Sequence, residues 1–382
     1  MIVNTLSLFL GPIIAVNAGP EVYGGYASFI GIITLLGVLM MFEGTTMLFR
    51  LERDFFEFLT RILKAGFYVF LLVIFLALTL SVIGYISRIH FLYIVCTALT
   101  IATNLLVAFN IRSDRFYVVA KSKVYTYLII TSLHLLIVYN MPDYHWMIVA
   151  YMFSQCFAIF FLSRESGLTV IFHLRIDEVK FVIKKYKENL DIIKYSYGGQ
   201  VINVAGNNAI IILTPMVLGL EQAGLYAIVH RILGIPLSLV STAIQDAFKL
   251  EYTEGSDRKL VATKFLIITV SFGILFLFGV YYVLPTLVSY FSIPSDWLGS
   301  LSIALVLAPL YFIRFVVSPL SFILVIKRRL NHDILWQILN LLIIFSSFFF
   351  LDIFWKYICI SGLISYSIYF IIIFHAQFRV NR

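Results

Sequence analysis

GPEVYGGYA, Gly19 to Ala27, returns two hundred residues later as GLEQAGLYA, Gly219 to Ala227. Five of the nine positions agree: Gly19 with Gly219, Glu21 with Glu221, Gly24 with Gly224, Tyr26 with Tyr226 and Ala27 with Ala227. Each copy sits in the short link between the first and second long apolar segments of its half of the chain, so the likeness is one of position as well as of letters. We read it as an internal duplication, with six spans in each half. An even number of spans returns the chain to the side it started from. Both halves therefore enter the membrane in the same sense, and the repeat is parallel, about an axis along the membrane normal. Transporters are commonly built from two such bundles, which rock about a central site and open it to either side in turn.

Composition fixes the class to which these segments belong. Of 382 residues, 61% are hydrophobic and only 13% charged, and the mean hydropathy is +0.98. Soluble domains carry about a quarter of charged residues, so a polytopic membrane protein is expected. A helix needs about 20 apolar residues to cross roughly 30 Å of hydrocarbon, and the runs here are long and lack the alternation of barrel strands. The expected fold is all-α. Polar breaks mark about twelve segments, near 2–18, 24–46, 65–87, 91–111, 124–141, 144–162, 196–218, 223–247, 265–290, 298–326, 333–351 and 355–376. The first begins almost at Met1 without a basic leader, so no cleavable signal peptide is expected. Cys96, Cys156 and Cys359 fall singly inside spans, a spacing that suggests neither a metal site nor a disulfide.

Charge orients the spans. Alternate loops hold twenty-four Lys and Arg against two, Arg88 and Lys356, and the positive-inside rule places the richer set in the cytoplasm together with both termini. The same asymmetry accounts for the net charge of +8 without a nucleic-acid partner. The longest connection, 163–195, is one of these basic loops, and it divides an N-terminal bundle, 1–162, from a C-terminal bundle, 196–382. Around it Ile176, Val179, Ile183, Tyr186, Leu190, Ile193 and Tyr197 recur at steps of three and four, with Lys180, Lys184, Lys185 and Lys187 between them. That pattern predicts an amphipathic helix at the membrane interface, acting as a hinge between the halves.

Two basic residues remain, Arg231 and Arg314, and both are inside spans. A charge at mid-bilayer costs roughly 2.5–3.5 kcal/mol on insertion scales, so it faces a bundle interior or a wet cavity. Arg231 is expected about 12 Å from the outer end of its span at about 1.5 Å per residue, and Arg314 lies mid-span between Pro309 and Pro319. Both guanidinium groups are expected to face a central cavity, where a planar, permanently charged fork suits phosphate oxygens. Pairing with a buried acid or carbonyl is the structural alternative. Arg50, at the cytoplasmic end of the second span, either joins them or snorkels.

Other polar groups gather in the seventh span, YGGQVINVAGNN. Gln200, Asn203 and Asn207 stand at helical steps there as one stripe, fit to bond sugar hydroxyls or to glue helices, while Gly199 and Gly206 allow a neighbour to approach. Acids able to couple transport to an ion are few: Glu43 in the second span and Asp246 at the inner end of the eighth. His230 could titrate near neutral pH but points about 100° away from Arg231 on an ideal helix.

Absences narrow the chemistry. No GxxxxGK[ST] phosphate loop and no H-E-x-x-H metal motif occurs, so neither an ATP-driven mechanism within this chain nor a metal or cofactor is expected. A membrane glycan polymerase would need acidic catalytic residues and usually a large outer loop, and every outer loop here is expected to be short. The expectation is a transporter rather than an enzyme.

Twelve spans in two parallel halves, a first outer loop of the form G-x-E-x-x-G-x-Y, and the segment GLEQAGLYAIVHRILGIPLSLVSTAIQDAF, Gly219 to Phe248, together resemble the polysaccharide-exporter branch of the multidrug/oligosaccharidyl-lipid/polysaccharide (MOP) superfamily. The likeness points to the Wzx-type O-antigen flippases of bacterial inner membranes. It covers nearly the whole chain in architecture and is strongest from Gly219 to Phe248. The resemblance implies a MATE/MOP-like fold that moves an undecaprenyl-diphosphate-linked oligosaccharide, an O-antigen or similar repeat unit of lipopolysaccharide, to the outer leaflet by alternating access. It also implies contact with membrane lipids and with other polysaccharide-assembly membrane proteins. On it, Arg231 and Arg314 hold the diphosphate or acidic sugars and the seventh-span amides meet hydroxyls. One departure stands out: related proteins often carry a basic residue just before the Gly-Pro-Glu loop, where this chain has Ala15, Val16 and Asn17. A cation-coupled multidrug exporter of the same superfamily and a membrane-embedded O-antigen polymerase are the alternatives.

Overall fold

Hydrocarbon offers a backbone no hydrogen-bond partner but itself, and long apolar runs answer with helices. The computed structural model describes residues 2–51, 55–82, 88–166, 176–190, 197–254, 257–290, 294–327 and 329–378; the loop residues Arg53, Arg175, Lys194, Arg328, Arg379 and Arg382 and the patterned Ile193 lie outside them. The first half runs α1 (Ile2–Ala18), α2 (Pro20–Met41), α3 (Gly44–Arg50), α4 (Phe55–Val82), α5 (Arg88–Arg112), α6 (Phe116–Asn140), α7 (Tyr144–Ser166) and α8 (Ile176–Glu188). The second runs α9 (Gly198–Val217), α10 (Leu220–Val229), α11 (Ile235–Glu254), α12 (Arg258–Phe278), α13 (Leu284–Tyr290), α14 (Leu298–Val317), α15 (Phe322–Ile326), α16 (Leu330–Ser346) and α17 (Phe354–Phe378). Among the described residues, ten helical stretches are long and apolar enough to cross a membrane. With α1 and α4, which occupy the places of the first and third predicted spans, they make six candidate spans in each half of the chain. The chain is an all-α, multi-pass membrane protein.

Prolines account for three of the irregular turns. Proline lacks the N–H that would bond four residues back, and its ring presses on the carbonyl there, so the preceding turn must widen or tighten. One π-helical turn, His230–Gly234, ends two residues before Pro236, and a second, Gly279–Val283, ends two residues before Pro285. Pro319 lies inside the 3₁₀ turn Ser318–Ser321 that joins α14 to α15.

By its contacts the chain divides into two compact units: Met1–Ala18 with Gly25–Asn208, and Gly19–Gly24 with Ala209–Arg382. In the first unit α5 packs on α4 and α7, α6 on α7 and α1, and α8 on α4. Its core joins Met47, Leu48, Phe58, Leu59 and Phe109 to Val182 of α8. In the second unit α14 packs on α17, α12 and α10, and Phe248, Tyr252, Phe265, Leu324 and Tyr369 close one core cluster. Tyr252 is anchored there by a hydrogen bond to Gln377.

The duplicated motif turns out to be helix rather than loop. Gly19 alone separates α1 from α2, and Gly219 with Leu218 separates α9 from α10; the two glycines have φ of 81° and 89°. That is the left-handed region that a side chain resists. Pro20 then starts α2, where its missing N–H costs nothing, and Glu21 and Glu221 lie in first turns, at the positive ends of their helices. Within the second unit the two copies meet backbone to backbone. A Cβ on Gly24 would stand 2.0 Å from the Leu220 carbonyl oxygen and 2.6 Å from the Gly224 nitrogen, and one on Gly224 would stand 1.8 Å from the Pro20 carbonyl oxygen. Leu220 and Pro20 are themselves equivalent positions of the repeat, so the crossing is reciprocal.

This geometry sets a stability test. Gly24→Ala or Gly224→Ala forces backbone apart and should cost about 2 kcal/mol or more, read as a large fall in the melting temperature of the detergent-solubilised protein. Gly206→Ala, with nothing among the described residues within 4 Å of its added methyl, should cost no stability and should raise it by up to about 1 kcal/mol, the helix preference of alanine over glycine. Equal shifts for the three variants would rule the crossing out.

Candidate functional site

α10 carries the motif directly into the His230–Gly234 turn. Because the helix begins at Leu220 rather than near 223, Arg231 lies eleven residues in, about 16 Å from its start, deeper than the 12 Å expected. Widening of the turn before Pro236 re-aims the consecutive side chains His230 and Arg231, and π-turns of this kind are frequent at functional sites. Gly234 makes the room: a Cβ there would stand 2.8 Å from His230 Nδ1.

Aromatic hydroxyls and rings surround both groups. Arg231 Nη1 donates to the Tyr23 hydroxyl at 2.8 Å, and Tyr23, only 4% exposed, meets Trp297 edge-on with ring centroids 6.2 Å apart. His230 Nδ1 is 3.0 Å from the Tyr311 hydroxyl, and its ring stacks at 6.0 Å on Tyr226. Tyr226 stacks in turn at 5.4 Å on Trp355. Arg314, half-buried on α14, lies within electrostatic reach of Tyr366, Tyr311 and Tyr226. His230, Arg231 and Arg314 thus belong to one unit, and His230 and Arg314 share the Tyr226–Tyr311 pair.

The other sequence candidates fall elsewhere. Asp246, on α11, is exposed and pairs with Lys249 at 3.1 Å. In the first unit, Arg50 is the exposed last residue of α3. Glu43 is 2% exposed and caps the break between α2 and α3 with φ 58°, next to Phe42 at φ 44°. Its carboxylate accepts from the Thr46 hydroxyl. Burial pushes the Tyr186 phenol of α8 up, and the neighbouring Glu43 carboxylate adds to the shift. Asn207 Nδ2 donates to Asn203 Oδ1 at 3.0 Å on α9, with both asparagines exposed and Gln200 half-buried. Among the described residues, Gly206 does not mediate the close approach expected of it, since a Cβ added there meets no atom within 4 Å.

Tyr23, Tyr311, Tyr366, Trp297 and Trp355 were not among the sequence candidates. With 23 tyrosines and four tryptophans in the chain, an aromatic that serves a cation reads the same as one that fills a core. Only Tyr226 had a signal, its place in the repeat.

No protein-family model matches the chain, and no curated protein matches it. Solved structures do. An inward-facing multidrug-resistance MATE transporter of the MOP superfamily superposes with a TM-score of 0.62 at 13% identity, over 97% of this chain and 94% of that one. The fold is that of MOP transporters. The lipid II flippase MurJ, in an inward closed conformation, superposes with a TM-score of 0.64 at 14% identity, over 97% and 86% of the two chains. A MATE crystallised with MaD3S gives 0.54 at 12% identity, over 98% and 92%. At such identities the likeness is one of fold, which a multidrug-resistance transporter and a lipid II flippase share.

A double-mutant cycle tests the contact between Arg231 and Tyr23. Tyr23→Phe and Arg231→Gln, singly and together, should show a coupling of about 1–3 kcal/mol in thermal unfolding, the range for a hydrogen bond to a charged group. Strict additivity would mean that the two side chains do not meet.

Proposed function

We propose that this protein is a flippase of a bacterial inner membrane, with both termini in the cytoplasm, that carries an undecaprenyl-diphosphate-linked oligosaccharide, an O-antigen or similar repeat unit, to the outer leaflet. The observation that carries the reading is the pair of guanidinium groups inside membrane-spanning helices, Arg231 and Arg314, held among phenols in one unit of a MOP-type fold. A diphosphate is prohibitively costly in hydrocarbon, and fixed cations in a wet cavity lower that barrier while the lipid tail stays in the bilayer. Arg231 and Arg314 would hold phosphate oxygens. The Asn203–Asn207 pair and Gln200 would bond sugar hydroxyls, since exposed amides on a spanning helix are costly against lipid and favourable against a wet, polar substrate. Arg50 would meet the anion at the cytoplasmic entrance.

Coupling to an ion gradient would fall to Glu43, the buried acid at a strained helix break, with His230, bonded to Tyr311 in the unit that holds the cations, as a further member of the set. Asp246, already paired with Lys249, is the weaker member of that set. No covalent chemistry is needed, and other polysaccharide-assembly membrane proteins would receive the product.

Deleting the gene in its own host and locating the lipid-linked glycan by leaflet decides the matter. Single repeat units should collect on the cytoplasmic face with loss of surface polysaccharide, and wild type but not Arg231→Ala or Arg314→Ala should restore export by at least about tenfold, the loss expected when a charge-assisted bond is removed. Unchanged glycan with altered drug tolerance would identify a multidrug exporter. Repeat units accumulating on the outer face would identify a polymerase.

A further inference from the structure

α8 presents three different faces. One is fixed to the protein: Val182 is 9% exposed in the cluster with Met47, Phe58 and Leu59, and Tyr186 meets Phe58 edge-on with ring centroids 5.9 Å apart. Phe181 lies under the Arg61 guanidinium at 4.3 Å and near Lys185 Nζ at 5.6 Å. The second face is apolar and open, with Val179 42% and Ile183 49% exposed. The third is basic: Lys180, Lys184 and Lys187 are all exposed. At about 100° per residue, Val179 and Ile183 fill an arc of about 40°, and the three lysines continue it out to about 140°. Acids occupy the ends, Asp177 and Glu178 at the start and Glu188 at the close; Lys184 Nζ is 3.9 Å from Glu188 and Lys185 Nζ 3.6 Å.

An open apolar strip flanked by lysines, on a helix whose opposite side is anchored, has the form of an element that lies in the headgroup region of a bilayer. The apolar strip enters the acyl boundary. The lysine stems follow it and deliver their ammonium groups to the level of the phosphates. A water-facing helix has no use for the strip, and a helix buried against another protein would not hold three extended lysines beside it.

We infer that Val179, Ile183, Lys180, Lys184 and Lys187 of α8 form a binding site for anionic phospholipid headgroups of the leaflet on that side, which the charge of the loops marks as cytoplasmic. Neutral lipid can cover the strip but brings no net negative charge to Lys180, Lys184 and Lys187, of which only Lys184 has an acid, Glu188, within 4 Å among the described residues, so the site selects anionic over zwitterionic headgroups. The inference does not rest on the substrate proposed above, and a headgroup preference would persist in a chain that moved no glycan.

The test uses the full-length protein reconstituted in phosphatidylcholine, with a fluorophore on Ile183→Cys in a background lacking Cys156, or on Val179→Cys if the first label disturbs folding. Phosphatidylglycerol with brominated tails should quench it at a mole fraction about fivefold or more below that needed with brominated phosphatidylcholine, in line with the attraction of surface lysines to anionic lipid. Lys180→Gln, Lys184→Gln and Lys187→Gln together should abolish that preference while quenching by phosphatidylcholine remains, and high salt should do the same. Equal quenching by the two lipids in the unsubstituted protein would overturn the inference. So would quenching by aqueous iodide and by neither lipid, which would place the strip in water. Loss of the preference on adding inorganic phosphate at constant ionic strength would assign the lysines to free phosphate instead.

Discussion

Two helices can cross backbone against backbone only where neither carries a Cβ at the point of contact, and Gly24 and Gly224 meet that condition for each other. Much of the second unit follows from this crossing. It holds the first turn of α2 among the C-terminal helices, and so places Tyr23, the residue just before Gly24, where its hydroxyl reaches Arg231. The repeat motif divides its labour: Gly19 and Gly219 make the left-handed breaks, Gly24 and Gly224 the crossing, and Tyr26 and Tyr226 the aromatic anchors. Tyr26 packs on Phe29 and His134 in the first unit, and Tyr226 packs on Trp355 and His230 in the second.

The setting of the cations depends on proline and glycine as much as on charge. Pro236 prevents a regular turn ahead of it, the backbone widens over His230–Gly234, and the missing side chain of Gly234 leaves space for the imidazole. On an ideal helix His230 and Arg231 would diverge by about 100°. In the widened turn both find hydroxyl partners in the same unit, His230 on α14 and Arg231 on the opening turn of α2.

What the sequence made legible was whatever depends on period, length and chain stiffness. The apolar runs gave the helices because hydrocarbon enforces internal hydrogen bonding, and the repeat marked the two helix breaks at Gly19 and Gly219. α8 came from its three-and-four spacing, although the helix stops at Glu188. The start of α2 was misplaced because Gly-Pro-Glu was read as loop, whereas a left-handed glycine followed by proline can begin a helix at once. The break at Phe42 and Glu43 had no signal, because two consecutive non-glycine residues at positive φ have no expected sequence pattern. The phenols around Arg231 and Arg314 were equally silent: tyrosine meets a packing role and a hydrogen-bonding role with the same letter.

On the flippase reading, phenols suit these arginines better than carboxylates would. A guanidinium paired with a buried acid has its charge already matched, and exchanging that partner for phosphate strands the acid, at a cost of about 3–5 kcal/mol for a broken buried pair. A tyrosine hydroxyl bound to a charged group contributes about 1.5–3 kcal/mol, and after release it can donate as well as accept, including to the incoming anion. Tyr23, held by Trp297 beside Arg231, can thus order the guanidinium when no substrate is present and yield it when one arrives. A site that must bind a diphosphate and also let it go needs its cations held in place, and the Tyr23 hydroxyl orders the Arg231 guanidinium without adding a charge of its own.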